Sequence, residues 1–339
     1  MTDEHPQLKF DPDKPLAVGG QAVIEGVMMR GPGRIATAVR RSNGEILVRK
    51  RDYRSLAEKN RFFRLPILRG AVGLVEMMFI GIETLNFSTE VAMDDLRRKE
   101  AGGNGSETAP RRQSSNLRLV LTVVLGLVVG IGIFFVGPLF VTTRMFNFEQ
   151  HALAFNLTAG AIRLTILLVY LGVISMMRDV KRLFRYHGAE HKAVFTFESQ
   201  GALTVDSAKT YTRFHPRCGT SFILIVMLVS IIVFAVLDSV LILWLGKISL
   251  TIRFLTHVPL IPIVGGISYE FIRWSAKRTG TVTGRMLVAP GLWLQRITTS
   301  EPDTSQIEVA LVALKCALGV ETPGQARYIS SLSELHAAR

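Results

Sequence analysis

The chain is poor in cysteine, in histidine and in acidic residues. Its two cysteines, Cys218 and Cys316, lie far apart among 339 residues. They build no disulfide framework and suit a reducing compartment. Only seven histidines occur, so any cluster of them is informative. Asp and Glu number 27 against 40 Lys and Arg, a formal net charge of +13. In a soluble protein that excess points to nucleic acid, but no basic run is interleaved with aromatics as a single-strand binder needs. A mean hydropathy of +0.31 fits a membrane protein instead, whose basic residues gather on the cytoplasmic side. The first twenty residues hold no basic segment followed by an apolar core, so no cleavable signal peptide is expected. The glycine-rich stretch VGGQAVIEGVMMRGPGR, residues 18–34, lacks the Lys and Ser/Thr of a phosphate-binding loop. It reads as a turn region with Gln21, Glu25 and Arg30 as polar candidates. The stretch GTSF lacks the context of a nucleophile elbow, so a serine triad is not readable.

What is present is long apolar runs. Leu119–Thr143 carries no charge and is long enough to cross about 30 Å of hydrocarbon. Its Gly126 and Gly130 form a G-x-x-x-G that admits another helix, from this chain or from a second copy in a homo-oligomer. Ala152–Met177 follows after a short link and should form an antiparallel hairpin with it. Arg163 in its middle should face protein. Gly219–Leu245, interrupted by Asp238, is a third span. Ile248–Trp274 is a fourth, expected to be broken by Pro259, Pro262 and the pair Gly265–Gly266.

The segment 178–218 holds eight Lys and Arg, against Arg144 alone in the link 144–151. The positive-inside rule then puts 178–218 and both chain ends in the cytoplasm. The fold class expected is mainly α: a polytopic helical membrane protein with about four transmembrane helices and a small cytoplasmic α+β region. Its parts are an N-terminal region 1–96, a flexible linker 97–116, a membrane domain 117–274 that includes the loop 178–218, and a C-terminal region 275–339. Residues 35–54, alternating around SNGE, predict a β-hairpin. Residues 62–87 are apolar but carry Arg64, Arg69, Glu76 and Glu83, which predicts an interfacial or packed amphipathic helix, with a fifth span as the rival. TSQIEVALVALKCALGV predicts an amphipathic helix with Cys316 as a buried small residue.

Chemistry concentrates in RYHGAEHKAVF, residues 185–195. On a helix His187 and His191 share a face and can offer both imidazoles to one metal, with Glu190 beside them as a base for metal-activated water. FHPRCGTSF adds His215 and Cys218 as H-x-x-C in a tight knuckle before the third span. The candidate ligands are therefore His187, His191, His215 and Cys218, and the donor set points to zinc. Four protein ligands would make the site structural, and three plus water would make it catalytic. Glu190 favours catalysis. The alternatives are interfacial histidines, a helix-capping His215 and a buried apolar Cys218. Glu270 either ligates metal or pairs with an arginine such as Arg273, and pairing is the simpler reading.

VGGQAVIEGVMMRGP, LPILRG, RYHGAEHKAV, HPRCGTSF, GISYE and APGLWLQRITTSEPD with QIEVAL, taken together, resemble the YqhQ-like family of bacterial membrane proteins. The resemblance runs from about Val18 to Glu321. It implies a domain of unknown function among predicted metal-dependent enzymes, and it supplies no substrate.

The leading expectation is a metal-dependent, hydrolytic enzyme at the cytoplasmic face of the inner membrane. Membrane lipids surround it, and its substrate is a membrane-proximal peptide or a lipid. Two other expectations stand beside it. One is an assembly or scaffold protein folded around a structural zinc. The other is a small transporter built on Arg163, Asp238 and the irregular fourth helix.

Overall fold

The structure is a computed structural model that describes residues 18–100, 116–146, 148, 150–320, 322, 324–330 and 334. In chain order the strands are β1 (Gly19–Val23), β2 (Gly26–Gly31), β3 (Arg34–Arg40), β4 (Ile46–Asp52) and β5 (Arg327–Tyr328). The helices are α1 (Leu56–Lys59), α2 (Leu68–Glu100), α3 (Asn116–Ile131), α4 (Gly137–Met145), α5 (Ala152–Ser175), α6 (Arg178–Glu198), α7 (Val205–Lys209), α8 (Gly219–Leu245), α9 (Leu250–Ala276), α10 (Val282–Thr298) and α11 (Thr304–Ala317). The chain is mainly helical with one small sheet.

Among the described residues four helices are long and apolar enough to cross a membrane: Leu121–Met145, Ala152–Ser175, Gly219–Leu245 and Leu250–Ala276. Each is about 36–40 Å long. The charged helix α2 is not among them. The first of the four contains a π-helical stretch, Gly132–Val136, that leaves the Phe134 carbonyl to accept from Arg163 Nε at 3.0 Å. Arg163 thus faces protein, and its Nη1 also donates to Ser230 Oγ at 2.9 Å. The break expected in the fourth span does not occur, since α9 is continuous through Pro259 and Pro262. Its Gly265–Gly266 pair lies instead where α2 crosses, with Gly266 against Ile67 and Gly70.

The sheet runs β1-β2-β3-β4-β5, antiparallel except that β5 lies parallel to β4. The hairpin expected over 35–54 is β3–β4, but the stretch 18–34, read as turns, supplies β1 and β2. Between its glycines, Val27, Met28 and Met29 alternate sides and are all fully buried, because both faces of the sheet are covered. Val27, Met29, Ala36, Ala38, Ile46 and Val48 pack toward α6 and α11. Val23, Val39 and Leu47 meet Phe87 and Val91 of α2 on the other face.

Helix α2 packs along its length, as the sequence pattern suggests. Its first turns lie on α9, where Arg69 donates to Glu270, and its later turns cover the sheet. It runs on to Glu100, past the expected linker boundary at 97. The Asp94–Arg98 pair at 2.9 Å and the basic last turn complement the helix C-terminus. Residues 101–115 of that linker lie outside the described residues. Helix α11 departs from the amphipathic expectation. Capped by Asp303 and Gln306, it is buried on nearly every side between the sheet and α6, so its apolar residues are not confined to one face. Cys316 sits in that core as expected, 1% exposed.

Candidate metal centre

The segment 178–218, expected as a loop, is mostly the helix α6. Arg178, Lys181, Arg182 and Arg185 lie exposed on its first turns, while Tyr186, Ala189, Ala193 and Val194 bury against α11 and the sheet. The one-turn spacing of His187 and His191 brings their rings to 4.5 Å between centroids. Cys218 caps the start of α8, and its Sγ stands 3.2 Å from His187 Nε2. One ligand atom each from His187, His191 and Cys218 lie within 4.8 Å of one another.

Both imidazoles are oriented from behind. His187 Nδ1 donates to the Thr298 carbonyl at 2.9 Å, and His191 Nδ1 donates to the Arg213 carbonyl at 2.5 Å. A carbonyl can only accept, so each Nδ1 carries the hydrogen and each Nε2 presents a lone pair. Backbone carbonyls hold metal-ligating histidines in this way. Zinc with Zn–S of about 2.3 Å and Zn–N of about 2.0–2.1 Å spaces tetrahedral ligand atoms about 3.3–3.6 Å apart. The 3.2 Å between His187 Nε2 and Cys218 Sγ is close to that range, all three ligand atoms lie within 4.8 Å of one another, and imidazole and thiol donors are those zinc prefers, so the residues present fit the metal.

Glu190 is 5% exposed. Its Oε1 accepts from the Gly20 N–H at 2.9 Å, and its Oε2 is 3.5 Å from His191 Nε2. Burial pushes its carboxyl above the ordinary carboxylate range, opposed by His187, His215 and the Gly20 N–H. Burial also holds His191 and His215 below the usual imidazole value, opposed at His191 by Cys218 and the Arg213 carbonyl. Two glycines make these approaches possible. A Cβ on Gly20 would lie 2.2 Å from Met28 O and 3.1 Å from Glu190 Cγ. A Cβ on Gly188 would lie 2.2 Å from Ser300 O, so only glycine lets α6 come close enough to residues 298–302 for His187 to reach Thr298.

His215 is close by but turned away. Its ring lies 5.7 Å from that of His191. Its Nε2 contacts Glu198 Oε2 at 3.3 Å, and its Nδ1 accepts from the Arg217 N–H at 3.2 Å. Both ring nitrogens are engaged, so the structure groups three of the four sequence candidates. Of the other candidates, Gln21 Nε2 donates to Thr84 Oγ1 at 2.8 Å, Glu25 pairs with Arg182 and Arg30 lies over the Tyr53 ring at 4.8 Å. Glu270 is taken by Arg69 rather than Arg273.

Sequence reasoning missed the supports. Gln295 is fully buried, and its Nε2 donates to the His215 carbonyl at 2.7 Å and to Ser221 Oγ at 2.9 Å. Its Oε1 accepts from the His215 N–H at 2.8 Å, which fastens the knuckle to α10. Lys192, 4% exposed, reaches Glu301 Oε1 at 2.6 Å, and Arg213 donates to Thr299 Oγ1 at 3.0 Å. For Gln295, Thr299 and Glu301 the signal in the sequence was a polar QRITTSE run at and just past the end of α10.

Residues 65–320 match a family described as "Protein of unknown function (DUF1385)". The chain belongs to this family. A member from Bacillus subtilis (strain 168), described as "Uncharacterized protein YqhQ", is 33% identical over 313 residues, covering 91% of this chain and 94% of the relative. No solved structure matches the chain. The DUF1385 match takes in His187, Glu190, His191, Cys218 and Thr298, while β1–β4 with Gly20 precede it.

Proposed function

We propose that the chain is a metal-dependent enzyme of the bacterial inner membrane, hydrolytic, with its site at the cytoplasmic face. The observation that carries this reading is the three-residue set His187, His191 and Cys218 beside a buried carboxylate, Glu190. Three protein ligands leave a position open, as catalytic zinc sites do. A divalent metal held there, zinc for this donor set, supplies Lewis acidity that activates water and polarises a carbonyl or phosphoryl group. Glu190, shifted toward neutral pH by burial, accepts the proton of the attacking water through Oε2 and returns it to the leaving group. The Gly20 N–H holds its other oxygen and fixes that direction. Thr298 and Arg213 hold the two imidazoles through their carbonyls.

The placement in the membrane rests on the four apolar helices and on charge. Arg178, Lys181, Arg182, Arg185, Arg273, Lys277 and Arg278 gather at the sheet end of the bundle, against Arg144 and Lys247 in the two links at the other end. This asymmetry supports a reading in which the sheet, the site and both termini are cytoplasmic. Substrates in reach are membrane-proximal peptides and lipids.

A second reading is a scaffold with a structural zinc. It is favoured by the way the site's neighbours come from β1, α6, α8 and α10 at once. Metal analysis of the purified protein tests both. Near one zinc per chain, lost in His187→Ala and in Cys218→Ala, supports the site, and no metal after reconstitution with zinc sinks both readings. Glu190→Gln separates them, since the enzyme keeps fold and metal but loses turnover, whereas the scaffold keeps its function.

A further inference from the structure

Near the end of the bundle opposite the sheet, α5, α8 and α9 bury ionisable groups against one another. Asp238 and His257 are 0% exposed, Arg253 is 1% and Asn156 is 4%. His257 Nε2 donates to Asp238 Oδ1 at 2.9 Å. Asn156 Nδ2 donates to Asp238 Oδ2 at 2.7 Å, and Arg253 Nε stands 3.6 Å from that oxygen. Aromatic rings seal the cluster. Phe234 stacks on the imidazole at 4.1 Å, Phe135 meets it edge-on at 6.4 Å, and the Arg253 guanidinium lies over Phe155. Asp238 and His257 each lie seven residues from the near end of their helix, about 10 Å deep.

Stability alone does not account for such a cluster. Each charge taken from water into this apolar bundle costs several kcal/mol before pairing. Ionisable residues inside spans mark pathways for protons and ions.

The chemistry selects the proton. The carboxylate accepts, so His257 Nε2 carries the hydrogen. Its Nδ1 lone pair is buried with no hydrogen-bond partner among the described residues. That nitrogen is a basic site beside a carboxylate able to balance the charge it would gain. The Arg253 guanidinium so close to Asp238 disfavours a metal cation at the same point.

The groups facing the pair are few. From α5 comes Asn156 and, across the Phe135 ring at 5.2 Å, Arg163. From α9 comes Arg253. Phe135 and Leu139 of the first span carry no charge. With His257 neutral, Asp238 and Arg253 cancel, so one captured proton leaves this trio singly positive.

A way in is visible. An open cleft of about 550 Å³ lies at this end, lined by Gln150, His151, Ala152, Ser239, Ile242 and Leu243 among others. The Ala152 carbonyl in its wall accepts from Asn156 Nδ2 at 2.9 Å, the same group that holds Asp238, and Ser239 follows Asp238 in the chain.

We infer that Asp238 and His257 form a proton-binding site inside the membrane domain, loaded from the cleft at the end opposite the sheet. A hydronium in the cleft gives its proton to His257 Nδ1 and leaves as water, and the imidazolium is held by Asp238. The site rests on the four helices being membrane spans and not on the metal centre, so the two succeed or fail separately.

The test is ¹⁵N-imidazole NMR of the full chain in lipid nanodiscs, over about pH 5 to 9. The His257 resonance is assigned by its absence in His257→Gln or by its contact with Phe234. On acidification the two ring ¹⁵N shifts of His257 should converge as Nδ1 gains its proton, and Asp238→Asn, which removes the balancing carboxylate, should abolish that change. A His257 that keeps one protonation state throughout overturns the proposal, and the wild-type titration decides this even if the variants fail to fold. Ser239→Cys tests the route. A membrane-impermeant thiol reagent should modify it from the side opposite the sheet, and no reaction from that side would refute entry through the cleft.

Discussion

Gly188→Ala tests whether close packing orients the metal ligands. The new methyl would lie 2.2 Å from Ser300 O and 3.3 Å from Pro302 Cδ. A carbon–oxygen contact needs about 3.3 Å, so α6 and residues 298–302 must part by about 1 Å. The Ser300 N–H, donating to Phe184 O at 2.9 Å, already ties this segment to α6. The same separation carries the Thr298 carbonyl from 2.9 Å to beyond hydrogen-bond reach of His187 Nδ1. Overpacking of this kind costs about 1–3 kcal/mol of stability. Loss of a ligand-orienting partner costs about 10–100-fold in metal affinity, or about 1.4–2.8 kcal/mol. Zinc affinity by competition with a chromophoric chelator, read beside thermal unfolding in detergent, measures both. A variant that unfolds earlier yet binds zinc as tightly as wild type refutes the role given to the Thr298 carbonyl. One unchanged in both refutes the packing argument itself.

His215→Ala should retain its zinc where His187→Ala and Cys218→Ala lose it, because both His215 ring nitrogens are committed elsewhere; equal loss in all three would put His215 back among the ligands. Gln295→Leu strands the His215 N–H, at about 1–3 kcal/mol for a buried group left unpaired, while the His215 carbonyl keeps the Cys218 N–H at 3.3 Å, so a melting temperature like wild type would contradict the clamp. Glu190 gives a pH prediction for the metal-free protein. Burial raises its folded pKa above the ordinary 4.5, so the folded state holds a proton that the unfolded state has lost, and stability falls as pH rises through that window. Metal-free Glu190→Gln should therefore melt above wild type at pH near 8 and lose that advantage below the ordinary carboxylate range. With substrate in hand, the same variant should slow turnover about 10²–10⁴-fold with zinc content unchanged.

The four apolar helices and the H-x-x-E-H helix were legible because each depends on local pattern: uninterrupted apolar length in one case, one-turn spacing in the other. The β3–β4 hairpin was legible through Asn43–Gly44. The strands β1 and β2 were not, because a sheet covered on both faces loses the alternation that marks a half-exposed strand. Gly19, Gly20, Gly26 and Gly31 then read as turns when some of them are points of close approach. The fourth span was misread for a related reason. Proline and paired glycine usually break helices, but Gly266 here makes room for α2, a partner some two hundred residues away in sequence. At the candidate metal centre the grouping of His187, His191 and Cys218 was readable as residue types, and the separate engagement of His215 was not. Its fate depends on Glu198 and Gln295, which only the fold brings within reach.

The candidate metal centre also lies between two bodies with separate cores, the sheet layer around α11 and the helical bundle around Phe135, Phe155 and Phe234. Apolar contact holds such bodies together but fixes their relative angle weakly, since burial has no direction. Directional bonds that cross between them include Arg69 to Glu270 and, at the candidate centre, His187 to Thr298 at the end of α10 and His187 to Cys218 at the start of α8. Removing a ligand therefore loosens the joint as well as the metal, and lost activity in His187→Ala does not by itself identify chemistry. Glu190→Gln is the cleaner probe. Its amide oxygen can still accept from Gly20, so the joint stays intact while the base is gone. If that variant keeps its zinc and its stability and still supports the protein's cellular role, the centre is a fastening between membrane bundle and sheet, and catalysis must be sought elsewhere or abandoned.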